Sequence, residues 1–392
     1  MNTMEFFAAF KSRVELSSNW EVMARTVEDS PWHREANVTV HTNMTIEQYM
    51  VKFFDHRTER QRMLSLMALL FHDFGKPEAE ETLEKKEEPG VFYRRYAGHE
   101  PISGNEFMSF MCDQVELREM FFAEGYDWSD VRKIKVMIEH HLPYGLKNPQ
   151  KRQNLKQMID TTFGEDDVCF YDMLRSDAAG RISDDHETKL QNVEDWINEF
   201  QTVEWKARPA KAPAPELIML VGVSGAGKST FISRMLSEGR APGDVVVFNE
   251  DVLRLQYAQE HMTREEMAGW ADMTDAEWYQ KAWNFCHMNK DSTFDAFSMA
   301  EYRRLLDTGQ TVVIDRMNQG RKGRNKYIDP ARQKGYRVKS VEFFISEQRA
   351  KDRQKTRGDK MLPDFRVHQL VMQLETPWYG PEVDEFTIVP QQ

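Results

Sequence analysis

The clearest chemical pattern in the sequence is a glycine-rich run that ends in lysine and serine. Residues 222–229 read GVSGAGKS, which fits G-x-x-x-x-G-K-[ST] at every position. The run follows an apolar stretch and precedes a helical pattern, a context in which backbone N–H groups surround phosphate oxygens. The lysine of such a loop reaches the β- and γ-phosphates, and the hydroxyl that follows it ligates Mg²⁺. We therefore predict a nucleotide-binding loop formed by Gly222, Ser224, Gly225, Ala226, Gly227, Lys228, Ser229 and Thr230.

Two acidic residues follow later apolar stretches. Asp251 lies in the run NEDVLR at 249–254, and Asp315 ends the run VVID. Because the carboxyl ends of parallel strands open onto one crevice, Asp251 is expected near the γ-phosphate, where it would accept a proton from an attacking hydroxyl. The alternative is that Asp251 only caps a helix. Arg254, one turn later, would hold an anionic group of the acceptor. Asp315 is a Walker-B-like candidate for binding Mg²⁺ or orienting a basic partner.

A pair of arginines stands nearer the end of the chain. Arg353 and Arg357 are four residues apart and precede a glycine. This spacing predicts a helical lid whose arginines close over phosphates and neutralise charge in the transition state. A solvated basic helix end is the simpler alternative.

A second chemical pattern, of histidines and aspartates, lies in the first half of the chain. It comprises His41, His72, Asp73, His99, His140, His141 and Asp177. Imidazoles and carboxylates on separate helices can converge on a divalent metal, which would lower the pKa of bound water for attack on phosphorus. Any one of these histidines alone is more often structural, so the prediction depends on the whole ordered set.

The two patterns require different scaffolds. Apolar residues recur at helical spacing before residue 204, as in Met63, Leu66, Met67 and Leu70, which predicts an all-α domain over residues 1–204. The run KARPAKAPAP predicts a semi-rigid linker at 205–215. Apolar runs at 217–222, 244–248, 311–315 and 338–345 then alternate with helical patterns. That alternation predicts an α/β domain with a parallel sheet over residues 216–392.

Composition narrows the class of protein. The formal net charge of -12 argues against a broadly basic surface for nucleic acid but leaves room for a local basic groove. Three widely separated cysteines are expected to be reduced thiols. No apolar run approaches the length of a membrane span, so we expect a soluble cytoplasmic protein.

The second half of the chain resembles a known kinase family. The runs GVSGAGKST, NEDVLR, VVIDRMN and RQKTRGDKMLP have the order and spacing of 5′-hydroxyl polynucleotide kinases of the tailed-phage type, over about residues 217–375. The resemblance implies that Asp251 is the general base and that Arg254 binds the phosphate flanking the acceptor nucleotide. It also implies that Arg353 and Arg357 contact the ATP phosphates and the transition state. The insertion at 256–291 departs from the family, and its aromatic residues would either pack or stack on bases.

The first half resembles the HD phosphohydrolase superfamily in the order of its histidines and aspartates. The resemblance implies a primary metal site formed by His41, His72, Asp73 and Asp177, and a second site formed by His99 and His140. His141 competes with His140 for that role, and Lys76 is implied to touch the substrate phosphate. His33 and Glu35 are weaker candidates for groups that support the ligands. One or two divalent ions of Mn, Fe, Co or Ni would suit these donors.

Together the two halves resemble the bifunctional end-healing enzymes called HD-Pnk. The resemblance implies phosphorylation of 5′-hydroxyl ends of RNA or DNA by ATP or another nucleoside triphosphate with Mg²⁺. It also implies hydrolysis of 2′,3′-cyclic, 2′- or 3′-phosphate ends, with sealing left to a separate ligase. The expected location is the cytoplasm of a bacterium or of a phage-infected cell. Two alternatives stay open: a metabolic HD nucleotidase fused to a nucleoside or nucleotide kinase, and a nucleotide-regulated binding module.

Overall fold

The chain divides into two compact units. The computed structural model describes residues 2–30, 33–84, 88, 90–208, 214–237, 244–267, 273–288, 293–357 and 361–390. The first unit comprises Met1–Ala207 with Trp378–Pro381, and the second comprises Arg208–Pro377 with Glu382–Gln392. Residues 209–213 of the predicted linker lie outside the described residues.

The first unit is helical, as the apolar periodicity predicts. Its helices are α1 (Thr3–Val14), α2 (Ser18–Arg25), α3 (Val38–Lys52), α4 (Glu59–Phe71), α5 (His99–Asp113), α6 (Val115–Ala123), α7 (Trp128–Glu139), α8 (Pro149–Phe163), α9 (Val168–Ala179) and α10 (His186–Gln201). Short 3₁₀ turns lie at Phe54–His56, Pro143–Gly145 and Gly164–Asp166. Two small antiparallel ladders, which the sequence did not predict, pair β1 (Val27–Glu28) with β2 (Ala36–Asn37) and β3 (Glu81–Glu84) with β4 (Phe92–Arg95).

Helix α4 is the centre of the first unit. Thr58 begins it with a capping box, in which Thr58 and Gln61 satisfy each other's backbone N–H groups. Every residue from Met63 to Phe71 is at most 1% exposed, which is the burial expected of a helix that is apolar on all sides. Helices α1, α3, α7 and α9 surround it. The pair His72-Asp73 follows its last turn and is therefore placed inside the helical unit.

The second unit contains a parallel sheet with helices. Its strands are β5 (Glu216–Val221), β6 (Val245–Phe248), β7 (Thr311–Ile314), β8 (Arg337–Phe344) and β9 (Glu385–Pro390), in the spatial order β6-β7-β5-β8-β9. Its helices are α11 (Lys228–Ser237), α12 (Glu250–His261), α13 (Asp275–Met288), α14 (Thr293–Asp307), α15 (Arg321–Gln333), α16 (Glu347–Lys355) and α17 (Asp364–Met372). The predicted parallel sheet is confirmed, and each predicted apolar run forms one of its strands. Strand β9 was not predicted, because it is a partly exposed strand at the sheet edge.

The strand order brings the chemical residues to one edge of the sheet. Strand β5 leads into the glycine-rich loop, β6 into the run that contains Asp251, and β7 into Asp315. Strand β8 leads into α16, which carries Arg353. The carboxyl ends of parallel strands are the usual ligand-binding edge of such sheets.

Candidate functional site

A buried cluster of side chains in the helical unit joins His41, His72, Asp73 and Asp177. His41 Nε2 lies 3.0 Å from Asp177 Oδ1, 3.4 Å from His72 Nε2 and 3.5 Å from Asp73 Oδ2. His72 Nε2 lies 3.2 Å from Asp73 Oδ2 and 3.8 Å from Asp177 Oδ1. Ligands around one ion with bonds of about 2.1 Å are about 3.0 Å apart in an octahedron and about 3.4 Å apart in a tetrahedron. The four predicted primary ligands therefore converge with spacings that suit a transition-metal ion.

The histidines of this region point their Nε2 atoms inward for a common reason. The Nδ1–H of His72 donates to Leu69 O at 2.7 Å, that of His99 to Tyr96 O at 2.7 Å, and that of His141 to Ile138 O at 2.8 Å. A carbonyl can only accept, so each of these rings keeps its Nε2 lone pair for the cluster. Metal-binding histidines characteristically donate their other N–H in this way. The donor set thus fits a metal ion.

Asp73 also contacts a second group of ligands. Its Oδ1 lies 3.0 Å from His99 Nε2 and 3.8 Å from His141 Nε2, and the two Nε2 atoms are 3.1 Å apart. Two imidazole lone pairs at that distance repel unless a proton or a cation lies between them. Although burial opposes its charge, His72 and Lys76 hold the pKa of Asp73 well below its usual range. Asp73 thus has one carboxylate oxygen beside each group of imidazoles.

His141, and not the predicted His140, is the residue that joins this second group. Helix α7 ends at Glu139, and His140 is its C-cap residue. The chain turns there, so that His141 enters the cluster. The His140 ring instead lies edge-on to Trp378, with ring centroids 5.3 Å apart.

Lys76 and Arg181 form ion pairs with the carboxylates of the cluster. The buried Lys76 Nζ lies 2.8 Å from Asp73 Oδ2 and 2.6 Å from Glu28 Oε1. Although burial disfavours its charge, Asp73 and Glu28 raise the pKa of Lys76. Arg181 Nη2 donates to Asp177 Oδ2. Lys76 is therefore occupied by two carboxylates, and its contact with a substrate phosphate stays a prediction.

In the second unit, the glycine-rich loop has the curled backbone that phosphate binding requires. Gly225 and Gly227 have φ angles of 86° and 90°, values that L side chains rarely adopt. Lys228 Nζ donates to the carbonyl oxygens of Gly222 and Val223, each at 2.8 Å. Burial lowers the pKa of Lys228 to about 8; Asp315 opposes that shift.

The predicted lid residues contact this loop directly. Arg357 Nη1 donates to Ser224 Oγ at 2.9 Å, and Gln354 Nε2 donates to the same oxygen at 3.0 Å. Arg353 Nη1 donates to Gly225 O at 3.2 Å. The two arginines therefore do not form a solvated helix end. Residues 358–360 of the same run lie outside the described residues.

Asp251 faces the loop from the start of α12. The helix cap is Asn249, whose Oδ1 accepts from the backbone N–H of Asp251 and Val252, so Asp251 is not the cap. Asp251 Oδ1 instead accepts from Arg254 Nη1 at 2.6 Å and from the Tyr279 hydroxyl at 2.8 Å. Both donors orient the carboxylate.

Neighbouring contacts fix the other polar groups of this edge. Asn249 Nδ2 donates to Asp315 Oδ2 at 2.8 Å. Arg254 Nη2 donates to Glu250 Oε2 at 3.0 Å, so its guanidinium is held by two carboxylates. Glu250 is itself buried and accepts from Tyr327 OH at 2.5 Å. Hydrogen bonds thus fix the positions of Asp251, Arg254 and Asp315 at this edge of the sheet.

A cavity of about 1230 Å³ joins these groups. Its lining includes Ser224, Lys228, Ser229, Asp251, Arg254, Tyr279, Trp283, Asp315, Arg353 and Arg357. The inserted aromatic residues fall into two classes, because Trp278 and Phe285 pack against α12 whereas Tyr279 and Trp283 line the cavity. Trp270 lies outside the described residues.

Comparison with known proteins supports a nucleotide-binding function of the second unit. Residues 217–379 match a family model described as AAA domain. The C-terminal region carries a P-loop domain of the kinase-like type. Such a P-loop domain implies ATP with Mg²⁺ as its ligands. No curated protein matches the chain.

The structure adds functional residues that the sequence did not single out. In the P-loop domain these are Asn249, which holds Asp315, and Tyr279, which holds Asp251. In the helical unit they are Glu28 and Arg181, which hold Lys76 and Asp177. Glu28, Asn249 and Tyr279 are far from their partners in the sequence, so no local motif could have indicated these three contacts. None of the helices in the described ranges is both long and apolar enough to cross a bilayer.

Proposed function

We propose that the chain is a bifunctional enzyme that heals broken RNA ends. The P-loop domain would transfer the γ-phosphate of ATP to a 5′-hydroxyl end. The helical unit would hydrolyse a 2′,3′-cyclic, 2′- or 3′-phosphate end. The observation that carries the proposal is the presence, in one chain, of a carboxylate beside a phosphate loop and of a separate buried His/Asp cluster.

In the kinase step, Asp251 accepts the proton of the attacking 5′-hydroxyl. Its two donors, Arg254 and Tyr279, fix the direction of its carboxylate. Lys228 and Arg357 stabilise charge on the transferring phosphoryl group, and Mg²⁺ bound with ATP would neutralise the β- and γ-oxygens. Alignment of the attacking 5′-hydroxyl oxygen with the leaving oxygen of ATP supplies much of the rate acceleration.

Arg254 favours a polynucleotide acceptor over a mononucleoside. Its side chain lines the cavity beside Asp251, and Glu250 and Asp251 hold its guanidinium in place. A cation at that position suits the phosphate that follows the first nucleotide of a strand. A free nucleoside has no such phosphate and gains nothing from this contact.

In the hydrolase step, His41, His72, Asp73 and Asp177 would hold the first metal ion, and Asp73, His99 and His141 the second. Metal ions in such a site supply Lewis acidity and lower the pKa of a bound water. The chain's own residues orient three of these histidines, because the Nδ1–H groups of His72, His99 and His141 donate to backbone carbonyls. Lys76 keeps its positive charge beside Asp73 and adds to the electrostatic stabilisation of a phosphate oxyanion.

Separable variants test the proposal. The protein is incubated with labelled ATP and either a 5′-hydroxyl oligonucleotide or a mononucleoside, and separately with RNA that ends in a 2′,3′-cyclic phosphate. We expect Asp73→Ala to lose hydrolysis and keep phosphorylation, and Lys228→Ala to do the reverse.

Two results would count against the proposal. Label on mononucleosides alone would support the metabolic alternative, a nucleotidase fused to a nucleoside kinase. Loss of both activities in either variant, with folding verified by circular dichroism, would contradict two independent sites.

A further inference from the structure

A third group of ligand atoms lies beside the primary cluster. Glu28 is in β1, and His33 and Glu35 lie in the segment between β1 and β2. The side chains of Glu28 and Glu35 are 0% exposed, and that of His33 is 14% exposed. The His33 and His41 rings meet edge to face, with centroids 5.0 Å apart. The group is therefore buried against a ligand of the primary cluster.

Three buried atoms of this group make no hydrogen bond with the residues that the structure describes. They are Glu28 Oε2, His33 Nδ1 and Glu35 Oε2. His33 Nδ1 lies 3.6 Å from Glu28 Oε2 and 3.4 Å from Glu35 Oε2. Hydrogen bonds between such atoms are about 2.7–3.2 Å long. The observed spacings instead match the ligand–ligand distance of about 3.4 Å around a tetrahedral ion.

The other carboxylate oxygen of Glu28 and of Glu35 already accepts a hydrogen bond. Glu28 Oε1 accepts from Lys76 Nζ at 2.6 Å, and Glu35 Oε1 accepts from the Ile182 backbone N–H at 2.7 Å. These bonds fix the direction in which each Oε2 points. Two buried carboxylate oxygens thus lie within 3.6 Å of one imidazole nitrogen, and such a set of donors suits a cation.

We propose that Glu28, His33 and Glu35 bind a third divalent transition-metal ion, next to the ion held by His41, His72, Asp73 and Asp177. This proposal rests on the proposed function, because it treats the neighbouring cluster of His/Asp side chains as a metal site. Imidazole together with carboxylate suits Mn²⁺, Fe²⁺, Co²⁺ or Zn²⁺. His41 lies between the two sites: its Nδ1 is 3.3 Å from Gly180 O and 3.7 Å from Glu35 Oε1. We count it with the primary site because its Nε2 is 3.0 Å from Asp177 Oδ1.

The test counts metal ions in the whole protein. Chelator-treated protein without nucleotide is titrated with Mn²⁺, and free Mn²⁺ is followed by electron paramagnetic resonance. We expect Glu35→Gln and His33→Gln each to bind one equivalent less than the unsubstituted protein, or to bind it at least tenfold more weakly. Glu194→Gln is the matched control, because Glu194 pairs with Arg175 in the same unit and lies outside the clusters.

A combination of variants separates this ion from its neighbour. The losses in Glu35→Gln and His33→Gln should not add, since both remove the same ion. Either loss should add to the loss in His72→Ala. Circular dichroism checks folding; if Glu35→Gln unfolds, the more exposed His33→Gln carries the test. An unchanged stoichiometry and affinity in folded His33→Gln would overturn the proposal, as would a loss that does not add to that of His72→Ala.

The titration involves no substrate, so it fails independently of the proposed function. Absence of hydrolysis on 2′,3′-cyclic-phosphate RNA by a protein that binds the extra ion would refute the function and keep the site. Hydrolysis of that RNA by a protein that does not bind the extra ion would refute the third site and keep the proposed function.

Discussion

The pKa of Lys228 predicts how nucleotide binding depends on pH. In the nucleotide-free protein this pKa is lowered to about 8, with burial as the largest cause. The charged ammonium is the form that binds β- and γ-phosphates, and bound phosphates stabilise its charge. Affinity for ATP is therefore expected to be full well below pH 8 and to fall as the pH rises through 8.

The size of the effect follows from the protonated fraction. With a pKa of about 8, the ammonium fraction falls about 25-fold between pH 7.5 and pH 9.5, and the apparent Kd for ATP should rise by the same factor. The assay is equilibrium binding of a non-hydrolysable ATP analogue across this range. ATP itself keeps a constant charge there, since phosphate groups of this kind titrate at about pH 6.

Two variants control this prediction. Lys228→Arg keeps its charge throughout the range, so its Kd should be nearly independent of pH. Arg357 lowers the pKa of Lys228, so Arg357→Gln should move the loss of affinity to higher pH. A Kd for the unsubstituted protein that changes less than about twofold would refute the reasoning, because a pKa of about 8 requires the larger change.

Further predictions concern the general base and the packing near the His/Asp cluster. Asp251→Asn should lower kcat for 5′-hydroxyl phosphorylation by about 10²–10⁴-fold with ATP affinity unchanged, and a small loss of kcat would exclude Asp251 as the base. Gly180→Ala should lower the free energy of unfolding by about 1–3 kcal/mol in urea titrations, because the new Cβ would lie 2.6 Å from Thr45 Cγ2 and 2.7 Å from Thr45 N. Gly145→Ala, whose Cβ would meet no described atom within 4 Å, should change it by less than about 0.5 kcal/mol; equal effects of the two substitutions would contradict the packing argument.

The sequence predicted the parts of the molecule that local patterns determine. The phosphate loop is one such part, because its glycines, lysine and serine are adjacent and their chemistry depends on backbone shape. The parallel sheet whose strands precede Asp251 and Asp315 is another, since apolar runs alternating with helices imply such a sheet. Helical periodicity likewise predicted the helical unit around α4.

Choices that depend on tertiary geometry could not be predicted. Whether His140 or His141 enters the cluster depends on the residue at which α7 ends, and helix ends vary by one or two residues. The bond from Tyr279 to Asp251 requires the insertion to fold back over α12. The approach of Glu28 to Lys76 depends on a strand of two residues, which is too short to give a periodic signal.

We propose that one chain repairs both ends of a break, and an RNA that carries both damaged ends is the substrate that tests this. An RNA with a 5′-hydroxyl and a 2′,3′-cyclic phosphate is incubated with the purified protein, γ-labelled ATP, Mg²⁺ and Mn²⁺, and both ends are analysed by mass spectrometry. We expect a 5′-phosphate and loss of the cyclic phosphate on the same molecules. Recovery of the RNA with both ends unchanged, while the protein phosphorylates mononucleosides, would contradict it.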